Sequence, residues 1–363
     1  MAGEMITRRL KAEILLGGVN IERSALEGEF KEEIHRVFEW DPLWHERGRY
    51  PSELILPDGA VLPIRKNAGA PYCLAVEEDK LLLKKDGDPL FEVEYIKRPA
   101  FYDRQTSDGM PMWRIAEFSA ERAKVGITYD TQCLFWETHE QCRYCNFVPT
   151  RRTHEEMLAV PTPLQHAEAV AAAYQEGARN LCVTGGVLPE REEFLRCNRI
   201  GRAIRKITGE EKIPGHVNLV APTDLREIDR LHETGFESVC MSIEIWDENL
   251  FKGICPGKAR WVGRENWIRA LEYAVGLFGP GKVMSVFVAG LEPKQSLMEG
   301  AEYLASRGVL PVPTPWFPSP GSAYEGHRTP TVEWHLDLGD RLRELWVRYD
   351  FTREIARTGR NYV

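Results

Sequence analysis

The sequence lacks any apolar run approaching the ~20 residues that a helix needs to cross a bilayer. The early apolar stretch 12–19 is short, contains Glu13 and shows no small-residue cleavage pattern, so we expect neither a membrane span nor a signal peptide. Positive charge is also scarce, because 47 Lys and Arg against 55 Asp and Glu leave a net charge of −8. This balance argues against a dedicated nucleic-acid binder, although a local basic groove is compatible with it. With no signal peptide expected, we predict a cytoplasmic protein.

Repeats of solenoid length and low-complexity segments are absent as well. The chain has 363 residues, 43% apolar and 28% charged, which is ample for a core and excludes disorder of the whole chain. At about 150 residues per domain, this length allows two domains or one large barrel with an appendage. A cytoplasmic chain of this length does not need disulfides, so we expect its eight cysteines to act as thiols, metal ligands or core residues.

The first part of the chain, residues 1–120, is predicted to be a small α+β domain followed by a connector. Helical periodicity and hairpin signals support this prediction. The predicted helices cover 10–26 and 29–38, the first hairpin covers 53–64, and the second pairs 72–85 with 90–95.

Residues 121–325 alternate short apolar runs with helical stretches of about 15 residues, a pattern typical of βα units and a parallel sheet. The six candidate strands are 125–129, 180–184, 216–220, 238–245, 283–288 and 310–313. Six units are too few for a closed eight-stranded barrel. We therefore predict an α/β fold, a partial (βα)6 TIM-like barrel, with a helical C-terminal extension over 326–363.

Three cysteines, Cys133, Cys142 and Cys145, cluster with the spacing C-x8-C-x2-C directly after the first predicted strand. Barrels of this type place their active sites at the carboxyl ends of the strands, where this loop lies. Three thiolates in one loop suit a metal centre that keeps one position open, and a [4Fe-4S] cluster is such a centre. Structural zinc is the alternative, with His139 as the fourth protein ligand that such sites use.

The cysteine loop resembles that of the radical SAM enzymes, which ends in C-x-aromatic-C, here Cys142-Arg-Tyr144-Cys145. The resemblance covers about residues 120–325 and looks closest to the biotin synthase-like branch. It implies that Cys133 and the two later cysteines hold a [4Fe-4S] cluster whose unique iron binds S-adenosylmethionine (SAM). The reduced cluster would then cleave SAM to methionine and a 5′-deoxyadenosyl radical. Because x8 departs from the commoner x3, the resemblance predicts the function of the cluster but not the conformation of the loop.

The same resemblance implies further cofactor-binding residues along the barrel. Glycines at the end of the second strand permit close backbone approach to a ligand, and a carboxylate at the end of the fourth strand can accept hydrogen bonds from ribose hydroxyls. The acidic residue that usually follows the glycines is missing, and Glu190 is the nearest candidate. The implied contacts are Thr184, Gly185 and Gly186 near the methionine amino group, Glu244 at the ribose, Lys258 or Arg260 at the methionine carboxylate, and Tyr144 and Gly290 along adenine.

The remaining cysteines bear on the reaction, because sulfur-inserting members such as biotin and lipoyl synthases hold a second iron–sulfur cluster as sulfur donor. Candidate ligands of an auxiliary cluster are Cys73, Cys182, Cys240 and Cys255, whereas Cys197, on a predicted helix, is expected to pack in the core. Simple core packing is the alternative for the other four as well. On cysteine placement alone, sulfur insertion is the favoured outcome.

Two alternatives remain open. A one-cluster radical mutase or carbon–carbon lyase would orient a small substrate with polar groups, for which His216, Asn218, Trp316 and Tyr324 are candidates. A non-catalytic iron–sulfur or zinc-binding protein is the other, although a scaffold needs no nucleotide pocket. As an enzyme, the chain is expected to act on a small-molecule or carrier-bound substrate and to receive electrons from an external donor such as flavodoxin or ferredoxin.

Overall fold

A computed structural model describes residues 2–27, 51, 53–119, 123–149, 160–189 and 192–358. Within these residues, no helix is both long enough and apolar enough to cross a membrane. The described residues form two hydrophobic cores, one beneath the sheets of the first hundred residues and one inside the barrel that follows.

The first part of the chain combines one helix with two small sheets. The helix α1 (Ala2–Gly17) ends at Gly18, whose φ of 76° only glycine adopts readily. One sheet has the strand order β1-β4-β5-β6 and the other β3-β2-β7. The strands are β1 (Asn20–Ile21), β2 (Glu53–Ile55), β3 (Val61–Pro63), β4 (Tyr72–Glu77), β5 (Lys80–Lys85), β6 (Asp88–Glu92) and β7 (Glu94–Tyr95).

Two local predictions for this part are wrong. The predicted helix over 10–26 stops at the glycine pair, and β1 and a 3₁₀ turn take up its second half. The predicted strand over 72–85 is a hairpin, because Glu78 and Asp79 adopt positive φ values of 48° and 60° and reverse the chain between β4 and β5. The predicted helix over 29–38 lies outside the described residues.

The barrel sheet has seven strands in the order β14-β13-β12-β11-β10-β9-β8. The six strands from β9 to β14 run parallel, and β8 pairs antiparallel with β9 at one edge. They are β8 (Ala116–Ser119), β9 (Lys124–Thr128), β10 (Asn180–Thr184), β11 (Ile213–Asn218), β12 (Phe236–Cys240), β13 (Val283–Ala289) and β14 (Val309–Pro315). The predicted α/β fold with six parallel strands in an open barrel is confirmed.

Helices connect the parallel strands and bury their apolar sides in the barrel core. A capping box starts α3, in which Thr162 and Gln165 exchange side-chain and backbone hydrogen bonds. The helices are α2 (Leu134–Glu137), α3 (Pro163–Gln175), α4 (Glu192–Thr208), α5 (Arg226–Glu233), α6 (Glu248–Ile254), α7 (Pro256–Trp261), α8 (Arg264–Phe278), α9 (Lys294–Ala305), α10 (Val332–Arg348) and α11 (Thr352–Thr358). An ion pair from Arg9 to Glu333 at 2.7 Å ties α1 to α10.

The fourth parallel strand ends earlier than the predicted range 238–245, because β12 is over by Cys240. Beyond it, the backbone N–H of Ile243 donates to the Ser285 hydroxyl at 3.0 Å instead of to a strand carbonyl. Glu244 then adopts a φ of 70°, which non-glycine residues seldom do. Glu244 nevertheless pairs with Phe287 of β13 as an isolated parallel bridge, so an interrupted strand places it at the rim of the barrel.

Candidate active site

One cavity of about 670 Å³ lies at the carboxyl ends of β9 to β12 and continues into the barrel. Cys133, Cys142 and Cys145 all line it. Most of the other predicted cofactor residues line the same cavity: Tyr144, Thr184, Gly185, Gly186, Glu244 and Lys258. Because parallel strands bring their carboxyl ends to one edge, residues more than a hundred positions apart meet there.

The cysteine loop is fixed to its neighbours by backbone hydrogen bonds. Leu134, directly after Cys133, donates its N–H to the carbonyl of Val187 at 2.7 Å. Arg143 donates to the carbonyl of Ile254 at 2.8 Å, which ties the loop to the end of α6. Between the last two cysteines, the N–H of Cys145 reaches the Cys142 carbonyl at 3.0 Å. These hydrogen bonds tie the loop to the segment after β10 and to the end of α6.

The glycine pair at the end of β10 packs against this loop. A Cβ on Gly186 would lie 1.7 Å from the carbonyl oxygen of Gln132, and a Cβ on Gly185 would lie 2.6 Å from the ring of Tyr129. The Tyr129 hydroxyl also donates to the Gly186 carbonyl at 2.8 Å. Close packing between strand and cysteine loop thus requires glycine here, in addition to the approach of a ligand that the sequence suggests.

The three thiols differ in their ease of ionisation. Burial raises the pKa of Cys133 and raises that of Cys145 to about 12. A hydrogen bond from the Cys255 thiol, helped by the positive charge of Lys258, lowers the pKa of Cys142 in spite of its burial. Thiolates are the ligating form, so binding of a metal centre releases protons from this loop.

The donor set fits an iron–sulfur cluster better than a zinc ion. The three thiols line one cavity, whereas His139, the alternative zinc ligand, is exposed and has a φ of 59°. Across the part of the chain that the structure describes, no three His, Cys, Asp or Glu side chains converge as a single metal ion requires. A four-iron cluster spreads its thiolates over separate iron atoms, so its ligands surround a volume and not a point.

Glu244 and Lys258 form a buried ion pair in the cavity wall. Lys258 Nζ donates to Glu244 Oε1 at 2.7 Å and to the carbonyl of Ser242 at 2.6 Å. It also lies 4.7 Å from the ring centre of Trp267, a cation–π contact. Burial alone lowers the pKa of Lys258, but the negative charges of Glu244, Cys142 and Cys255 together outweigh burial and raise it, so Lys258 stays charged. The pair fixes the direction of the Glu244 carboxylate.

Two predicted cofactor residues lie outside the cavity lining. Arg260 is exposed and donates to Glu140 at 2.8 Å. Gly290 has a φ of 118°, and a Cβ there would lie 2.8 Å from Pro330. Glu190 lies outside the described residues. The structure thus places Lys258, and not Arg260, in the cavity.

The candidate ligands of an auxiliary cluster do not gather in one place. Cys182 lines the cavity, and Asn218 Nδ2 lies 3.3 Å from its sulfur. Cys240 and Cys255 are fully buried, and the predicted face that Cys240 shares with Glu244 ends where β12 ends. Cys73 lies on β4, outside the barrel, where it donates to Glu22 at 3.4 Å. Cys197 packs in the barrel core, as predicted.

The polar residues suggested for substrate orientation also separate. Asn218 lines the cavity, whereas His216 is buried on the same strand outside the lining. Trp316 and Tyr324 form an edge-to-face ring pair, 6.2 Å between centres, also outside the lining. The sequence interpretation missed Glu117, which lines the cavity from β8; the alternation over 116–119 is the available signal.

No protein-family model matches the chain. A curated relative is the bacteriochlorophyllide c C-7(1)-hydroxylase of Chlorobaculum limnaeum, 27% identical over 241 residues. The match covers 62% of this chain and 60% of that enzyme, so the chain spans less than two thirds of the relative's length.

Similar solved structures include methylornithine synthase, with a TM-score of 0.48, 15% identity, and coverage of 69% of this chain and 71% of that one. A radical SAM methyltransferase from Sphaerobacter thermophilus has a TM-score of 0.47, 18% identity, and coverage of 76% and 75%. The hydrogenase maturase HydG from Carboxydothermus hydrogenoformans has a TM-score of 0.47, 15% identity, and coverage of 67% and 59%. The chain's own cysteine loop, set at the carboxyl ends of an open six-stranded parallel barrel, is similar in position to the cysteine loop that the sequence resemblance to radical SAM enzymes predicts.

Proposed function

We propose that the chain removes a hydrogen atom from an unactivated carbon of its substrate and that the outcome is hydroxylation. Hydrogen abstraction is supported by the single cavity that the three cysteines, the glycine pair and Glu244 share. When bound, the [4Fe-4S] cluster supplies an electron that splits SAM and yields the 5′-deoxyadenosyl radical. Hydroxylation as the outcome is supported by the name of the curated relative, which is a hydroxylase.

The residues of this chain bind and orient the reactants. Cys133, Cys142 and Cys145 would hold the cluster, and Glu244, held by Lys258, would accept hydrogen bonds from the ribose hydroxyls. The cavity walls between them include the apolar side chains of Phe135 and Trp267. An external one-electron donor, flavodoxin or ferredoxin, would supply the electron.

The overall hydroxylation balances with SAM as the oxidant. A substrate C–H bond and a water O–H bond break, a C–O bond forms, and SAM ends as methionine and 5′-deoxyadenosine with one proton released. The electron that starts the cycle is returned when the substrate carbon is oxidised. No oxidant beyond SAM is consumed.

Sulfur insertion, favoured on cysteine placement, has one supporting observation, the Cys182 thiol in the cavity wall. It also needs a sulfur donor, and the candidate ligands of a second cluster lie on three elements and one loop, with Cys73 outside the barrel and Cys255 hydrogen-bonded to Cys142. Hydroxylation needs only the one cluster. The arrangement therefore supports hydroxylation over sulfur insertion.

Anaerobic reconstitution tests the cluster assignment. We expect one cluster per chain and formation of 5′-deoxyadenosine from SAM with dithionite as reductant. A variant with Ala at positions 133, 142 and 145 should lose both, whereas Arg260→Met should keep both. Bound zinc without iron uptake contradicts the proposal. Iron and sulfide retained by the triple variant reveal a second cluster and favour sulfur insertion.

The outcome is tested with bacteriochlorophyllide c as the first substrate, because the curated relative's name contains it. In water labelled with a heavy oxygen isotope, and without dioxygen, we expect a product that carries the label. A sulfur-containing product, or a rearranged product without new oxygen, contradicts hydroxylation while leaving hydrogen abstraction intact.

A further inference from the structure

The cavity has a second polar region, far from the cysteine loop, at the amino end of β9. The antiparallel pairing of β8 with β9 places Glu117 opposite Gly126 and Ser119 opposite Lys124. All four residues line the cavity, and Glu53, from β2, joins them. We name Glu53, Glu117, Ser119 and Lys124 the far-end cluster.

The far-end cluster lies a substrate's length from the cofactor residues. β9 carries Lys124 at its amino end and Thr128 at its carboxyl end, and both line the cavity. At about 3.3 Å per residue, these two positions are about 13 Å apart. Between them, Gly126 carries no side chain, and a Cβ there would have its nearest neighbour, the Glu117 carbonyl oxygen, at 3.8 Å. The cavity is therefore open along the strand between its two polar ends.

Within the far-end cluster, Glu53 and Glu117 differ in their hydrogen bonding. The Ser119 hydroxyl donates to Glu53 Oε1 at 2.6 Å, and Glu53 is 8% exposed. The Glu117 carboxyl has no hydrogen-bond or ion-pair partner among the described residues, although it lines the cavity. Glu117 is partly buried, and an acceptor on a cavity wall that receives no hydrogen bond from the described residues indicates a place for a ligand's donor.

The charges around Glu117 indicate what that donor is. Burial raises the pKa of Glu117 to about 7, Lys124 opposes this shift, and Glu53 adds to it. Glu53 and Lys124 are the neighbouring charges that act on Glu117, and the exposed Arg114 also lines the cavity. A ligand's ammonium or hydroxyl group can donate to the Glu117 carboxyl, whereas a ligand carboxylate at the same place would be repelled by it.

We propose that the far-end cluster binds the polar end of the substrate through a hydrogen-bond donor, an ammonium or a hydroxyl group, received by Glu117. The substrate's reacting carbon then lies between this anchor and the cysteine loop. The inference rests on the proposed function for the identity of the reaction, but the binding preference is measured separately. It assigns a substrate that is polar at one end and presents an unactivated carbon to the cofactor.

Three probes of equal length test the proposal by calorimetric titration of the reconstituted enzyme with SAM: hexylamine, hexanol and hexanoate. We expect hexylamine or hexanol to bind at least tenfold more tightly than hexanoate. Glu117→Gln should remove most of this preference. Glu94→Gln, an exposed carboxylate on β7 outside the cavity lining, should keep it.

Buffers of different ionisation enthalpy separate the two donors. An ammonium group displaces the proton of Glu117 into the buffer, whereas a hydroxyl group leaves it in place. Tightest binding of hexanoate, or an unchanged preference in Glu117→Gln, overturns the inference. If the unmodified enzyme forms no 5′-deoxyadenosine yet prefers hexylamine or hexanol, the proposed function fails and the inference about the far-end cluster stands. If it cleaves SAM but shows no preference among the three probes, the proposed function stands and the inference about the far-end cluster fails.

Discussion

The carboxylates at the two ends of the cavity differ in whether they have a bonded partner. At the cofactor end, Glu244 is paired with Lys258 at 2.7 Å, and Trp267 lies against the lysine. At the far end, Glu117 has neutralising charge nearby but no partner among the described residues. A carboxylate with a bonded cation is fixed in position and direction, whereas a carboxylate without such a partner can accept a hydrogen bond from a ligand.

This difference assigns cofactor binding to one end of the cavity and recognition of the substrate to the other. The cofactor end is stabilised by backbone hydrogen bonds, tight glycine packing and a buried ion pair. The far end keeps an acceptor available, which suits recognition of a variable group. Substitutions at the cofactor end should therefore have the larger effects.

The largest effect is expected at the glycine that supports the cysteine loop. In Gly186→Ala the added Cβ would lie 1.7 Å from a backbone oxygen, so the loop or the end of β10 must move. We expect less than a tenth of the normal iron content after reconstitution. Gly276→Ala, in α8 with no atom within 4 Å of its Cβ, serves as the control and should keep normal iron. Full iron uptake by Gly186→Ala contradicts the packing role.

A smaller loss is expected when the ion pair at the cofactor end is broken. Lys258→Met leaves Glu244 buried without its cation, which costs about 3 kcal/mol of folding stability. Because the carboxylate loses its fixed direction, SAM affinity should fall by roughly tenfold or more. Equilibrium unfolding and SAM titration measure the two losses.

The matched variants separate stability from binding. Arg260→Met removes an exposed cation from α7, the helix that also carries Lys258. It should change neither the folding stability nor the SAM affinity appreciably. The double variant Lys258→Met with Glu244→Gln should regain much of the stability but not the SAM affinity. If it regains both, Glu244 has no part in SAM binding.

The smallest effect is a pH dependence that belongs to the far end. Glu117 has a pKa of about 7 in the fold against an ordinary value of 4.5, so the folded chain holds more protons than the unfolded chain between these values. Its contribution to stability is therefore lost as pH rises from about 4.5 to 7, by about 1–3 kcal/mol.

Glu117→Gln should remove this component from the slope of unfolding free energy against pH. Glu94→Gln should retain the slope of the unmodified chain, because its side chain is exposed in both states. Identical slopes in all three proteins would mean that Glu117 ionises freely, and the contrast between the two ends would lose its electrostatic basis.

The sequence was sufficient to predict the sheet and the cysteine loop, because both are encoded locally. Alternating apolar runs and helices marked all six parallel strands, and the spacing of Cys133, Cys142 and Cys145 marked the loop. Features set by tertiary contacts were not predictable in this way. The ion pair of Lys258 with Glu244 depends on the early end of β12, and strand alternation alone places the carboxylate on a regular face.

Turn chemistry accounts for the other differences. Glu78 and Asp79 form a two-residue hairpin turn with positive φ at both positions, although neither is the glycine or asparagine that usually signals it. Glu117 was assigned to a connector because β8 is only four residues long. The apolar–polar alternation over 116–119 was the available signal, but four residues of it are a weak one.

The far wall of the cavity joins two hydrophobic cores, since Glu53 comes from β2 and its bond to Ser119 crosses to the barrel sheet. The cysteine loop, the glycine pair and Glu244 all come from the barrel side. Loosening β2 from β8 would therefore alter the cavity wall near Glu117 and leave the wall around the cysteine loop unchanged.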